Sequence, residues 1–314
     1  MVGSIPEYGI NREKKAMAEL ETPLFGFRET LPRTKEFRRI VRVFLSRKIV
    51  VFGLIVILAL ILTAVFAPVI APYDPYDQNL YDVLRKPSSK YFLGTDAVGR
   101  DTLSRIIYGS RTSLMIGVVA LGIAASIGLA MGLIAGYFGG LAYAFIMRLT
   151  DALMCFPMIL LALVVAAILG SGLKNVMLAV GVALIPAYCR LLCGLVLSVK
   201  ENDYILAGRA MGASNLRIMF LHVLPNCFPP LIVLMTMQVG MAILAEAGLS
   251  FLGIGIEQPT AAWGSMVSDG YQYLLTHPIL SFAPGLTIMI VVFAFNMVGD
   301  GLRDALDPKL RGTI

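Results

Sequence analysis

From Ile49 to Ala71 the chain carries no charged residue, and nothing in that run is more polar than Thr63. A helix that is apolar on every face has no stable place at the surface of a soluble domain. It fits a bilayer, whose hydrocarbon core of about 30 Å takes roughly 20 apolar residues. Comparable blocks recur at about 113–135, 152–169, 176–197, 228–252 and 282–298. The chain is therefore expected to be an all-α integral membrane protein with six transmembrane helices. Composition agrees: 58% of residues are hydrophobic and 15% charged, against about 25% charged in soluble domains.

These blocks divide the chain. Residues 1–48 form an N-terminal tail, 49–71 the first transmembrane helix and 72–112 an extracytoplasmic loop. Residues 113–302 form a five-helix core that includes a connecting loop at 198–226, and 303–314 form a C-terminal tail.

The formal charge of +6 does not point to nucleic acid, because the basic residues sit beside apolar blocks, where they set orientation instead. Arg33, Lys35, Arg38, Arg39, Arg42, Arg47 and Lys48 abut the first block and should hold the N-terminus in the cytoplasm. The first thirty residues contain no apolar core of a cleavable signal, and Pro6, Pro23 and Pro32 favour a poorly ordered tail up to about Thr34. With six spans both termini are cytoplasmic, and Arg148, Lys200, Arg209, Arg217, Arg303, Lys309 and Arg311 add to the inner charge. The first outer loop also holds basic residues, among them Arg85, Lys90 and Arg105, balanced by Asp74, Asp77, Asp82, Asp96 and Asp101.

Several local features follow. Asp101 is placed to cap a short helix starting at Thr102. Small residues at Gly117, Gly122, Ala125, Gly128, Ala130 and Gly132 would let the second span pack closely on its neighbours. Gly136 to Gly140 reads as an inner turn, Arg148 and Asp151 as an i,i+3 pair, and Phe156-Pro157 as a kink in the third span. Trp263 is expected at the membrane interface. Arg190 and Glu246 lie within apolar blocks, where charge is costly, and are candidate pathway or gate residues. For Glu246 a packing contact is the favoured reading. The thiols Cys155, Cys189, Cys193 and Cys227 lie in or beside apolar segments and read as small buried residues, not as a disulfide framework or metal site.

Between two apolar blocks lies Tyr204–Asn226, an amphipathic, partly charged passage that turns at Gly212 and re-enters the membrane through Leu224-Pro225. Its residues Tyr204, Ala207, Gly208, Arg209, Gly212, Ala213, His222, Leu224 and Pro225 resemble the EAA loop of permease subunits in binding-protein-dependent ABC importers. Leu206 stands where the founding pattern has Glu, Gly208 replaces its second Ala and His222 an Ile. The run Leu93-Gly94-Thr95-Asp96, Gly99-Arg100-Asp101, Ser104-Arg105 resembles a signature of the peptide and nickel permeases, although a solvated loop would look similar. Pro186, Tyr188, Arg190, Leu191 and Gly194 resemble the same branch, as does the stretch Gly299 to Arg311.

The resemblance, which spans Arg38 to Arg311, is to the C-type permease subunit of dipeptide, oligopeptide or nickel importers. It implies the type I ABC importer fold with a cytoplasmic coupling loop, in the cell (inner) membrane. It also implies a second homologous permease subunit, two cytoplasmic ABC ATPase subunits and an extracytoplasmic solute-binding protein. Peptides are the expected substrate, with nickel, glutathione or another small solute as alternatives.

The chain is expected not to be an enzyme and to need no cofactor. It has no Gly-x-x-x-x-Gly-Lys-Ser/Thr phosphate cradle, and His222 and His277 fall in different compartments. A secondary transporter would pair intramembrane carboxylates or repeat its halves, whereas Glu246 is alone and no internal repeat is evident. A structural scaffold would have no use for the Tyr204–Asn226 passage.

Overall fold

The computed structural model describes residues 33–306, all helix, turn and loop apart from one isolated bridge between Thr95 and Asp101. The expected disorder of the tail to Thr34 falls largely outside these residues, as does the tail pattern from Asp307 to Arg311.

The helices are α1 (Arg33–Ser46), α2 (Lys48–Val65), α3 (Ala67–Ile70), α4 (Thr102–Phe138), α5 (Gly140–Met154), α6 (Met158–Leu169) and α7 (Leu173–Val199). They continue with α8 (Asp203–Ala210), α9 (Asn215–Ile218), α10 (Leu224–Phe251), α11 (Trp263–Tyr271) and α12 (Ile279–Leu306). Among the described residues, five segments are long and apolar enough to cross a membrane, and α5 with α6 makes a sixth if the bent pair is one crossing.

The order of contacts along the helices settles how those crossings alternate. On α4, Gly128, Gly132 and Gly136 meet Tyr188, Cys189 and Val196 of α7 in ascending order, so the two helices are parallel. A Cβ at Gly132 would lie 2.5 Å from the carbonyl oxygen of Cys189. Only glycine lets the backbones approach this closely, and lipid offers no hydrophobic drive to replace the contact. Because α4 and α7 run the same way, the chain between them must recross the bilayer. α6 has 12 residues, about 18 Å of helix, too short to cross alone. The recrossing is the bent pair α5–α6, which turns by 92° around Cys155–Pro157. The kink expected at Phe156-Pro157 is thus a full break.

The remaining partners are antiparallel. Gly117 of α4 meets Val239 of α10, Gly240 and Gly299 pair α10 with α12, and Gly53 of α2 meets Ala294 and Val298 of α12. Arg47, just before α2, lies 2.5 Å from Asp304 near the end of α12. The start of α2, the end of α12, the α4–α5 turn and the α7–α10 connector therefore share one side of the bilayer.

Three sequence expectations need correction. The short helix expected at Thr102 and the second span are not separate: α4 starts at Thr102 and runs 37 residues as one helix. Asp101 caps it, accepting from the Ser104 N–H at 2.8 Å. The first three turns of α4 are polar because they are buried among loops. Gly136 is helical, so the inner turn shrinks to Gly139 and Gly140, both at positive φ. Trp263 does not reach out to the lipid headgroups: it is buried in the protein, and its indole N–H donates to the carbonyl of Ile106 at 2.9 Å.

Candidate functional site

The α7–α10 connector is built by two capping motifs. α8 ends in a Schellman turn: the Gly212 N–H donates to Arg209 O at 2.9 Å and the Ala213 N–H to Gly208 O at 3.1 Å. Gly212 has φ +80°, a left-handed conformation that residues with a Cβ adopt only under strain. No atom of the chain lies within 4 Å of where its Cβ would be, so space inside the chain is not what requires glycine here. Ser214 then caps α9 through its Oγ. The chain enters α10 through a π turn at Met219–Val223, where Leu224 N–H bonds to Met219 O. Pro225 has no N–H to give to Leu221, which accounts for the widened turn.

One side of the connector packs inward. Ile205, Ile218, Met219, Val223 and Cys227 are buried against Leu133, Tyr137, Leu192 and Val196. Polar ties fix the same side: Tyr137 donates to Asn215 Oδ1 at 2.9 Å, and Lys200 Nζ to the carbonyl of Gly136 at 3.1 Å. The guanidinium of Arg209 lies 5.2 Å from the centroid of the Tyr137 ring.

The other side is apolar and uncovered. Met211 is 82% exposed and Leu216 67%, and Tyr204, Leu206, Phe220 and Leu221 are exposed with them. Among the other predicted residues, Ala207, Arg209, His222 and Pro225 are exposed, while Gly208, Ala213 and Leu224 are half-buried. These apolar side chains are set among exposed Arg209, Arg217 and His222, a mixed surface of the kind that takes a protein contact. What the arrangement can do is mechanical: a rigid, doubly capped element anchored on α4 and α7 presents a greasy face outward.

Arg190 and Glu246 are not part of this element. Glu246 of α10 is fully buried and accepts from Ser250 Oγ at 2.7 Å, which in turn accepts the Ile256 N–H at 3.2 Å. The second bond ties α10 to the segment after it, while Glu246 Oε2 is buried with no partner among the described residues. Asp151 pairs with Arg190 of α7, not with Arg148 as the i,i+3 spacing suggested. α5 packs beside α7, with Thr150 Oγ1 3.4 Å from Cys189 Sγ, and this sets Asp151 against Arg190, a relation that sequence spacing does not contain.

The structure also resolves the Leu93–Arg105 signature. Arg100 and Arg105 are buried. Arg100 Nε donates to Asp96 Oδ2 at 2.6 Å, and its Nη2 to Gln258 at 3.2 Å. Arg105 Nη1 donates to the carbonyls of Pro75 and Pro259, at 3.2 and 3.3 Å. The signature is a clamp holding the 72–101 and 252–262 segments to α4. Sequence reading missed Gln258 and Pro259, whose role depends on contacts more than 150 positions away.

Comparison with known proteins agrees with this architecture. Residues 128–312 match the family of binding-protein-dependent transport system inner membrane components, and residues 36–87 the N-terminal transmembrane domain of oligopeptide transport permease C. The dipeptide transport system permease protein of Haemophilus influenzae is 45% identical over 265 residues, covering 82% of this chain and 90% of that protein. That of Alkalihalophilus pseudofirmus is 43% identical, covering 85% and 88%. A glutathione transport system permease protein of Pectobacterium atrosepticum is 43% identical, covering 88% and 92%. A chain from inward-facing crystals of the MetNI methionine ABC transporter superposes with TM-score 0.52 at 21% identity, covering 65% of this chain and 96% of that one. The chain belongs to the binding-protein-dependent transport system inner membrane component family, and is a multi-pass permease subunit of the ABC importer type.

Proposed function

We propose that this permease forms half of a passage for di- or oligopeptides, and that α8, α9 and the π turn dock into a cytoplasmic ATPase subunit. The observation that carries this reading is the exposed apolar side of the connector, Tyr204, Leu206, Met211, Leu216, Phe220 and Leu221, on an element fixed to two membrane helices. A second homologous permease would supply the other half, with two ATPase subunits below and an extracytoplasmic solute-binding protein above. The basic cluster before α2, with Arg209 and Arg217 on the connector, supports a cytoplasmic location for that side. The contact between Arg47 and Asp304 supports both termini lying there.

In this reading, nucleotide binding closes the ATPase pair and carries the connector with it. The connector is capped on both sides of its Gly212 turn and anchored through Tyr137, Asn215 and Lys200. Its displacement therefore tilts α7 and α10 together, exchanging one packing for another instead of deforming a single helix. The glutathione permease relative at 43% identity favours a second reading, import of a glutathione-like tripeptide.

The test is uptake by the reconstituted complex. Dipeptides and glutathione are offered with the cognate binding protein and ATP, with wild type beside Met211→Asp/Leu216→Asp. The double variant should insert normally but lose the ATPase subunit on purification and lose uptake. Retention of the ATPase by that variant would exclude the connector as its dock.

A further inference from the structure

Arg190 and Asp151 form an ion pair whose side chains are 51% and 47% exposed. Its position is unusual. Arg190 lies within the apolar span α7, about 14 Å of helix before its end at Val199. A half-exposed charge pair on a membrane-spanning helix is costly to leave facing lipid.

The surrounding face is also unlike a lipid-facing one. Ala187, Arg190, Gly194 and Ser198 recur at helical spacing on α7, with Gly194 and Ser198 exposed. A Cβ at Gly194 would meet nothing within 4 Å, so the helix has open space there and not a packed neighbour. The lipid side of α2, by contrast, carries exposed Phe52, Ile55, Leu58, Ile61 and Leu62. Cys155, just beyond Asp151 at the α5–α6 break, is exposed as well.

We infer that the Ala187–Arg190–Gly194–Ser198 face, with Asp151, is a wall of the passage, and that the Arg190–Asp151 pair contacts the two charged ends of a peptide backbone. Arg190 takes the solute carboxylate in the bidentate geometry that guanidinium favours. Asp151 is then released to take the solute ammonium. One internal pair is exchanged for two with the solute, so neither charge is left unpaired while the solute passes. The inference rests on the peptide reading for its solute, but the exposed face itself does not.

The experiment uses the full complex with its binding protein. Arg190→Gln and Asp151→Asn are compared with the exchanged pair Arg190→Asp/Asp151→Arg for assembly, basal ATP hydrolysis and dipeptide uptake. The inference expects each single variant to keep assembly and hydrolysis within about twofold and lose uptake at least tenfold. It expects the exchange to leave uptake lost, because the pair is restored but reversed toward the solute. Recovery of uptake in the exchanged pair would overturn it, since a merely structural pair is rescued that way. So would loss of assembly in both single variants with recovery in the exchange.

Gly194→Cys in a Cys155→Ser background supplies a second reading that needs no transported solute and leaves the charges intact. A water-soluble cationic thiol reagent should modify it in the assembled complex. Lack of reaction in the complex, with reaction in the isolated chain, would make this face a contact between subunits and overturn the inference. If wild type carries no peptide although the cysteine reacts, the peptide reading and the solute assignment fall together, while the wall assignment stands.

Discussion

The guanidinium of Arg209 lies 5.2 Å from the ring centroid of Tyr137, joining the exposed connector to the last turn of α4. The same tyrosine donates to Asn215 on the next short helix. One aromatic side chain thus holds both halves of the connector, and a force applied to α8 or α9 reaches α4 without passing along the chain.

Tyr137→Phe removes the hydrogen bond to Asn215 but keeps the ring under Arg209. Tyr137→Ala removes both. The phenylalanine variant should assemble with its ATPase and hydrolyse ATP near the wild-type rate. The alanine variant should hydrolyse ATP with at least tenfold less uptake per ATP consumed, as measured in proteoliposomes.

At Gly212 the constraint is backbone conformation, not room. A β-branched residue at φ +80° carries a cost of about 1–2 kcal/mol, while Asn tolerates this region. Gly212→Asn should therefore transport better than Gly212→Val. Gly212→Asp should still insert in the membrane but uncouple hydrolysis from uptake. Equal uptake by all three would remove the turn from the mechanism.

Two glycines of α4 make a matched comparison. Gly132 has the Cys189 carbonyl 2.5 Å from its would-be Cβ, whereas Gly122 has nothing within 4 Å. Gly132→Ala should lower the thermal unfolding midpoint in detergent. Gly122→Ala should leave it unchanged or raise it slightly, since alanine is the better helix former by about 1 kcal/mol.

The clamp on the other side of the membrane predicts a different phenotype. Arg105→Met deletes the donors to Pro75 and Pro259, hydrogen bonds from a charged group worth about 1.5–3 kcal/mol each. The 72–101 segment should become sensitive to limited proteolysis, while the connector still binds its ATPase.

That segment should also respond to acid. Lys90 and Tyr91 both donate to the Asp82 carboxylate, at 2.8 and 3.0 Å, and hold its pKa below the ordinary carboxylate value. A lowered pKa gives stability that is present above the unfolded-state value of about 3.9 and lost as pH falls through the folded one. Protease resistance should hold at pH 7 and fall as the pH drops below about 4. Asp82→Asn should be more sensitive at pH 7 and show little further change with acid.

The apolar blocks and the connector were legible because each is a local pattern: length and hydropathy for the spans, glycine and capping residues for the turn. That α4 runs unbroken from Thr102 into the second span was not. Ser104, Arg105 and Thr112 look like loop residues until their partners on distant segments are known: the Tyr73 N–H, the carbonyls of Pro75 and Pro259, and the Ala261 carbonyl. The pairing of Asp151 with Arg190 was equally hidden, because it depends on how α5 packs beside α7 and not on spacing along the chain. Trp263 misled for a related reason. An aromatic in an outer loop suits the interface on composition, but Gly109 leaves room for its ring against α4.

The most direct test of the account is cross-linking from Met211→Cys, the most exposed apolar position on the connector. In the assembled complex a short bifunctional reagent should join it to the ATPase subunit, giving a product absent from the parent chain. Labelling of the same cysteine by a membrane-impermeant reagent from the outer face of intact cells, with no ATPase adduct, would contradict the account.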